Sequence, residues 1–185
     1  KDKKIVVVQG LGFVGSVMSI VIANSIEDDY VVIGVDLPNV HNYWKIASIN
    51  EGNFPIVSTD EKVEELFTIA NKKKNFFATY DTYAYSLADI IIVDINLDVN
   101  KLSNIEAKTK SFDVDLSKFK AAINVIGDKC KEDVLIIVET TVPPGTCMKV
   151  VKPILDNCFN ERKISSNYKL GHSYERVTPG PNYIN

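Results

Sequence analysis

Thiols and imidazoles are scarce in this chain: three cysteines (Cys130, Cys147, Cys158) and two histidines (His41, His172) are all that 185 residues contain. The cysteines show no C-x-x-C spacing and do not cluster with the histidines, so neither a metal site nor a disulfide framework is expected, and a reducing, cytoplasmic setting fits. No apolar run approaches the roughly 20 residues that span a bilayer, so no membrane association is expected. Neither sign of charge is in large excess. The net charge is −3 and the pI about 5.4, which leaves no broad basic surface for nucleic acid. An initiator methionine is missing, and Lys1-Asp2-Lys3-Lys4 leads straight into a strand-like run. No signal peptide is therefore expected, and the chain reads as a trimmed one. Low-complexity linkers and solenoid repeats are also lacking. What is present, 45% hydrophobic and 24% charged residues, suits one soluble domain with a sizeable core.

Strand-like and helix-like runs alternate. Residues 5–8 (IVVV), 30–35, 88–95 (ADIIIVDI) and 134–138 are short and largely apolar with β-branched residues, as expected of buried strands, and 76–79 (FFAT) reads as a further strand. Helical spacing appears in Val14, Val17, Met18, Val21 and Ile22, and again in Val63, Leu66, Phe67 and Ala70 after Asp60. Leu116, Phe119, Ile123, Ile126 and Cys130 share one helical face. After a Pro143-Pro144-Gly145 turn, Thr146 is placed to cap a helix with Met148, Val151, Leu155 and Cys158 inward. Residues 37–59 are less regular, and 96–115 and 157–169 are weakly patterned. The repeated β-α-β order predicts an α/β, Rossmann-type, doubly wound sheet of about six to eight mostly parallel strands with helices on both faces. It forms one domain over residues 1–185.

Gly10, Gly12 and Gly15 match G-x-G-x-x-G between the first strand and the first helix, and Asp36 closes the second strand about 20 residues later. Gly10 permits a tight turn, Gly12 lets a pyrophosphate approach bare backbone, and Gly15 lets the helix pack closely. The helix N-terminus then faces the phosphate charge. Asp36 can accept hydrogen bonds from the adenosine ribose; its competing reading is a solvated turn or cap acid. A 2′-phosphate about 4 Å from this carboxylate would cost roughly 4 kcal/mol at an effective dielectric of about 20. Even half of that disfavours NADP about 30-fold. Leu37-Pro38-Asn39 supplies no cation to hold such a phosphate, so NAD is the expected cofactor.

Farther along, residues 139–146 (ETTVPPGT) end a buried strand at the ligand-binding edge of the sheet, with the Thr140 and Thr141 hydroxyls at the crevice. Residues 49–56 (INEGNFPI) and 172–180 (HSYERVTPG) follow no simple periodicity. Together with GLGFVG, these segments resemble, over nearly the whole chain, the UDP-glucose/GDP-mannose dehydrogenase family, nearest its branch acting on UDP-N-acetylhexosamines. The resemblance implies an NAD-dependent oxidoreductase of polysaccharide biosynthesis. Such an enzyme oxidises the C6 alcohol of a UDP- or GDP-sugar to a carboxylate with two NAD, through an intermediate captured by a cysteine thiol. It implies that Gly10, Gly12 and Gly15, with the Phe13 and Val14 amides, hold the pyrophosphate, and that Asp36 holds the ribose. Thr141 would lie near the nicotinamide and place a water. Glu175 would assist proton transfer; its competing reading is an ion pair with Arg176.

Two features depart from the family. Its V-P-T-P stretch is Ile95-Asn96-Leu97-Asp98 here, so the usual threonine contact is Leu97 and Asn96 is expected to replace it. The family's nucleophilic cysteine, its neighbouring lysine and most of the sugar pocket lie beyond residue 185. Cys130 and Cys158 read as core. Cys147 lies near a helix N-terminus, which can lower a thiol pKa. The chain is thus expected to be the cofactor domain only, inactive alone, and part of a homodimer or larger assembly that takes a nucleotide sugar. The alternatives are another β-hydroxyacid-type dehydrogenase and a standalone NAD-binding regulatory module.

Overall fold

A computed structural model describes residues 3–97 and 114–175. Six strands form one sheet: β1 (Lys4–Gln9), β2 (Tyr30–Val35), β3 (Phe76–Thr79), β4 (Ile90–Val93), β5 (Leu135–Val138) and β6 (Lys169–His172). Every pairing is parallel, and the order is β3-β2-β1-β4-β5-β6. The chain winds outward from β1 in one direction through β3, then returns to start the other half at β4. Between β1 and β4 the carboxyl ends diverge, and a crevice opens there.

Alternation along the strands feeds two cores. Val6 and Val8 point to one face, with α1 (Phe13–Ala23), α2 (Val40–Asn50) and α3 (Glu61–Lys73). Val7 points to the other, with α4 (Ala84–Leu87), α5 (Ser117–Lys129) and α6 (Lys152–Glu161). Asp60 caps α3 by accepting the Lys62 amide hydrogen at 3.0 Å.

Periodicity missed or misread four places. In α1 the buried face is Gly15, Ser16, Val17, Ser19, Ile20 and Ala23, whereas Val21 is 38% exposed. Small residues let this helix sit against the β1 loop, and they carry little apolar signal. A π-helical turn at Cys147–Val151 opens the last helical segment. Its wider winding leaves Met148 64% exposed while Val151, Leu155 and Cys158 stay buried. Thr146 starts that turn but does not cap it; its hydroxyl donates to the Pro143 carbonyl at 2.7 Å. Finally, α6 runs to Glu161, well into the stretch expected to be irregular.

Three elements went unanticipated: α2, α4 and β6. Asn39 caps α2 by accepting the His41 amide hydrogen at 2.9 Å. At the other end, Asn50 imitates a neighbouring strand. Its amide donates to the Ala78 carbonyl at 2.8 Å and its carbonyl accepts the Ala78 N–H at 2.9 Å. The side chain thereby covers part of the sheet edge at β3.

Candidate dinucleotide-binding site

The crevice has a volume of about 580 Å³, within the range of small-molecule sites, and runs from Asp36 past the glycine loop to Thr141 and Glu175. Each loop glycine answers a measurable constraint. Gly10 has φ +102°, and a Cβ there would lie 1.8 Å from the Asp94 carbonyl oxygen. A Cβ on Gly15 would lie 2.0 Å from the Gly10 carbonyl oxygen. One on Gly12 would meet nothing within 4 Å, so this residue presents its bare backbone to open space. Gly12 is also the N-cap of α1, with no side chain capping the helix and no acid in its first turn. Phe13 and Val14 begin the helix and line the crevice. A helix end so arranged carries partial positive charge toward the space where a diphosphate would rest.

Asp36 lies at one end of the crevice. One carboxylate oxygen accepts the Leu11 amide hydrogen at 3.3 Å and the Lys45 ammonium at 2.7 Å. The other accepts the Leu37 amide at 2.8 Å and the Asn42 amide at 3.0 Å. Lys45 and Asn42 are additions that only α2 makes possible. The Lys45 side chain is 15% exposed and also donates to the Leu11 carbonyl at 3.1 Å. Its signal in the sequence was faint: an Asn39 cap, then Ile46 and Ile49 three apart. Leu37-Pro38-Asn39 indeed supplies no cation, but Lys45, farther along the chain, brings one to Asp36. The repulsion toward a 2′-phosphate is smaller than for a lone carboxylate.

Thr141 and Glu175, 34 residues apart in sequence, meet at the opposite end. The Thr141 hydroxyl donates to the Glu175 carbonyl at 3.4 Å, and both residues line the crevice. Asn96 and Leu97 line it as well. Arg176, the alternative partner for Glu175, lies outside the described residues. Thr140 also lines the crevice, but its hydroxyl is engaged by backbone. It is buried, accepts the Ile95 amide hydrogen at 2.8 Å and donates to the Val93 carbonyl at 3.2 Å, tying the ends of β4 and β5 together.

Two carboxyl groups at this end had no part in the sequence-based site. Burial pushes the Asp94 carboxyl up from 3.8 to about 6, against a lowering hydrogen bond from the Gly15 amide and with the Glu175 charge adding to the rise. Burial likewise pushes Glu139 up to about 7, helped by the charges of Asp94 and Glu175. Asp94 follows β4 and Glu139 follows β5, so the parallel register brings them together at one edge. The cysteines are elsewhere. Cys130 and Cys158 are buried, with thiols pushed up to about 11 by burial. Burial also raises the Cys147 thiol, which overrides any lowering by its place near a helix start. His41 and His172 are both exposed. Among the described residues no group of three or more His, Cys, Asp or Glu could hold a metal ion.

An adenosine dinucleotide fits these residues. A carboxylate stands at the ribose end, open backbone and a helix N-terminus in the middle, and hydroxyl and carboxyl groups at the far end. Known proteins agree with that reading. UDP-N-acetyl-D-mannosamine dehydrogenase of Pyrococcus horikoshii is 26% identical over 177 residues, covering 95% of this chain and 37% of that protein. GDP-mannose 6-dehydrogenase of Pseudomonas savastanoi pv. phaseolicola is 30% identical over 154 residues, covering 83% of this chain and 32% of that protein. The crystal structure of NDP-N-acetyl-D-galactosaminuronic acid dehydrogenase from Methanosarcina mazei Go1 superposes with a TM-score of 0.81 at 26% identity, over 96% of this chain and 36% of that one. The chain thus spans about a third of the length of these relatives. The sequence profile of the UDP-glucose/GDP-mannose dehydrogenase family, NAD binding domain, matches residues 3–184. With the glycine loop, Asp36 and the parallel sheet all in the arrangement that NAD requires, the chain belongs to the UDP-glucose/GDP-mannose dehydrogenase family through its NAD-binding domain.

Proposed function

We propose that this chain is the cofactor-binding part of a dehydrogenase that oxidises the C6 alcohol of a UDP- or GDP-sugar to a carboxylate with two NAD. The observation that carries the reading is the meeting of Thr141 and Glu175 at the end of the crevice away from Asp36. Bound NAD supplies the hydride acceptor. The Phe13 and Val14 amides and the dipole of α1 hold the diphosphate, while Asp36 and Lys45 orient the adenosine ribose. Thr141 holds its hydroxyl beside the Glu175 backbone, and the Glu175 carboxyl, lining the crevice, would assist proton transfer from the sugar. Asn96 takes the cofactor-facing place that threonine holds in the family. The capture of an aldehyde-level intermediate belongs to a thiol outside these residues, because Cys130 and Cys158 are buried and Cys147 does not line the crevice.

The 185-residue chain is therefore expected to bind NAD and to reduce none of it with any sugar nucleotide. The protein carrying the substrate portion is expected to reduce NAD with members of a UDP- and GDP-sugar panel. It is also expected to sediment as a homodimer or larger species in the cytoplasmic fraction. Turnover by the isolated chain, or a longer protein silent on every sugar in the panel, overturns the proposal.

A further inference from the structure

Glu139 is 6% exposed, lines the crevice, and its Oε2 is buried with no hydrogen-bond partner. A carboxyl oxygen left so is costly unless something arrives to meet it. Asp94 lies beside it at the end of β4, accepting the Gly15 amide hydrogen and feeling the Glu175 charge. Neither residue belongs to the machinery assigned above. Both lie on the side of the glycine loop away from Asp36, where the nicotinamide must lie if the adenosine ribose is at Asp36. In NAD+ that ring is a cation; in NADH it is neutral.

We propose that the Asp94–Glu139 carboxyl pair senses the charge of the nicotinamide ring and makes the crevice prefer NAD+ to NADH. The inference rests on the assignment of the crevice to the dinucleotide. A negative charge near the diphosphate weakens both redox forms alike and cancels from their ratio, so the ratio reports the ring alone. The two carboxyls face the same space and interact, so they titrate as a pair. Burial raises both carboxyls toward neutral pH, so the pair still holds a proton over part of that range. The cationic ring favours the ionised pair. NAD+ binding therefore expels a proton to solvent from a pair that still holds one, and NADH binding does not. The other charged and titratable groups facing this space are Glu175 after β6 and Lys118 on α5. Tyr85 from α4, whose hydroxyl donates to Gln9, and the Asp36–Lys45 pair lie toward the other end.

The test is calorimetric titration of the chain with NAD+, NADH and ADP-ribose from pH 5.5 to 8.5, in buffers of different ionisation enthalpy. The ratio Kd(NADH)/Kd(NAD+) is expected to rise about tenfold across that range, with more protons released by NAD+ than by NADH near pH 6.5. In Glu139→Gln the rise in the ratio is expected to shrink, and in the Asp94→Asn/Glu139→Gln double variant the ratio is expected to be smaller and nearly flat. A ratio independent of pH in the unaltered chain, or equal proton release by the two forms, overturns the inference even where the variants fail to fold. ADP-ribose has no ring and separates the two levels of argument. If it binds and Asp36→Asn weakens it, the crevice assignment stands whatever the ratio does. If neither it nor either dinucleotide binds, the assignment falls and this inference with it.

Discussion

At the residue scale the site is decided by what backbone and charge tolerate. Gly10→Ala must place a Cβ within the radius of a backbone carbonyl at a positive φ, and no rotamer relieves that. The variant is expected to lose NAD binding and to lower Tm, measured by calorimetry and thermal melting; unchanged affinity would mean that the loop does not hold the diphosphate. Asp36 and Lys45 make opposite predictions about cofactor choice. Removing the carboxylate in Asp36→Asn leaves the cation, so NADP is expected to gain about tenfold relative to NAD. Lys45→Met leaves the carboxylate without its cation, so NADP is expected to lose further ground. It also removes one of four partners from a half-buried carboxylate, at a cost of about 1 kcal/mol in denaturant unfolding. The glycines and Asp36 were legible because each is required at a fixed offset along one βαβ unit. Lys45 was not, because its reach to Asp36 depends on a helix whose buried face, Ile46 and Ile49, is too narrow to stand out.

At the element scale, α2 owes its position to its ends more than to its face. Asn39 starts it, and Asn50 locks its last turn onto β3 through two hydrogen bonds to Ala78. Asn50→Ala is expected to cost about 1–3 kcal/mol, since it leaves the Ala78 amide and carbonyl unpaired in a half-buried place. Because α2 carries Lys45 and Asn42, the same variant is expected to weaken NAD binding several-fold although it touches no cofactor. Unchanged affinity alongside lost stability would show that Lys45 is held in place independently. Residues 49–56 were recognisable as a motif, yet their physical task was invisible from spacing, because a side chain acting as a strand leaves no periodic trace. The strands at 30–35 and 76–79 were legible with their bounds, since short apolar runs rich in β-branched or aromatic residues favour strands. The spacing that marked α1 as a helix did not show its buried face, because close helix-to-loop packing selects Gly15, Ser16 and Ser19, which apolar periodicity overlooks.

For the whole molecule, the two raised carboxyls tie stability to pH. Asp94 moves from 3.8 to about 6 and Glu139 from 4.5 to about 7, so between about pH 4 and 7 these two groups hold more protons in the folded chain than in the unfolded one. The stability these two groups contribute therefore falls as pH rises through that window, and the loss is complete above about pH 7. Melting the unaltered chain and Asp94→Asn/Glu139→Gln side by side from pH 5 to 8 is expected to show the variant gaining in Tm relative to the parent as pH rises. A variant that loses Tm relative to the parent as pH rises would contradict the buried, protonated state of the pair. Saturating NAD, which binds only the folded form, is expected to raise Tm. At 100 times Kd the stabilisation is about 2.7 kcal/mol.

Sequence by itself determined the alternation of buried strands and helices, the glycine loop, the acid that closes the second strand, and with them the family and its cofactor. These follow from constraints local to a few dozen residues: backbone torsion, side-chain volume and the period of burial. Tertiary structure alone decided that Lys45 joins Asp36, that Thr141 meets Glu175 across 34 positions, and that Asp94 and Glu139 share one apolar corner. Those contacts arise from strand order and helix placement. Charge interaction depends on distance in space and on exclusion of water, neither of which is written along the chain.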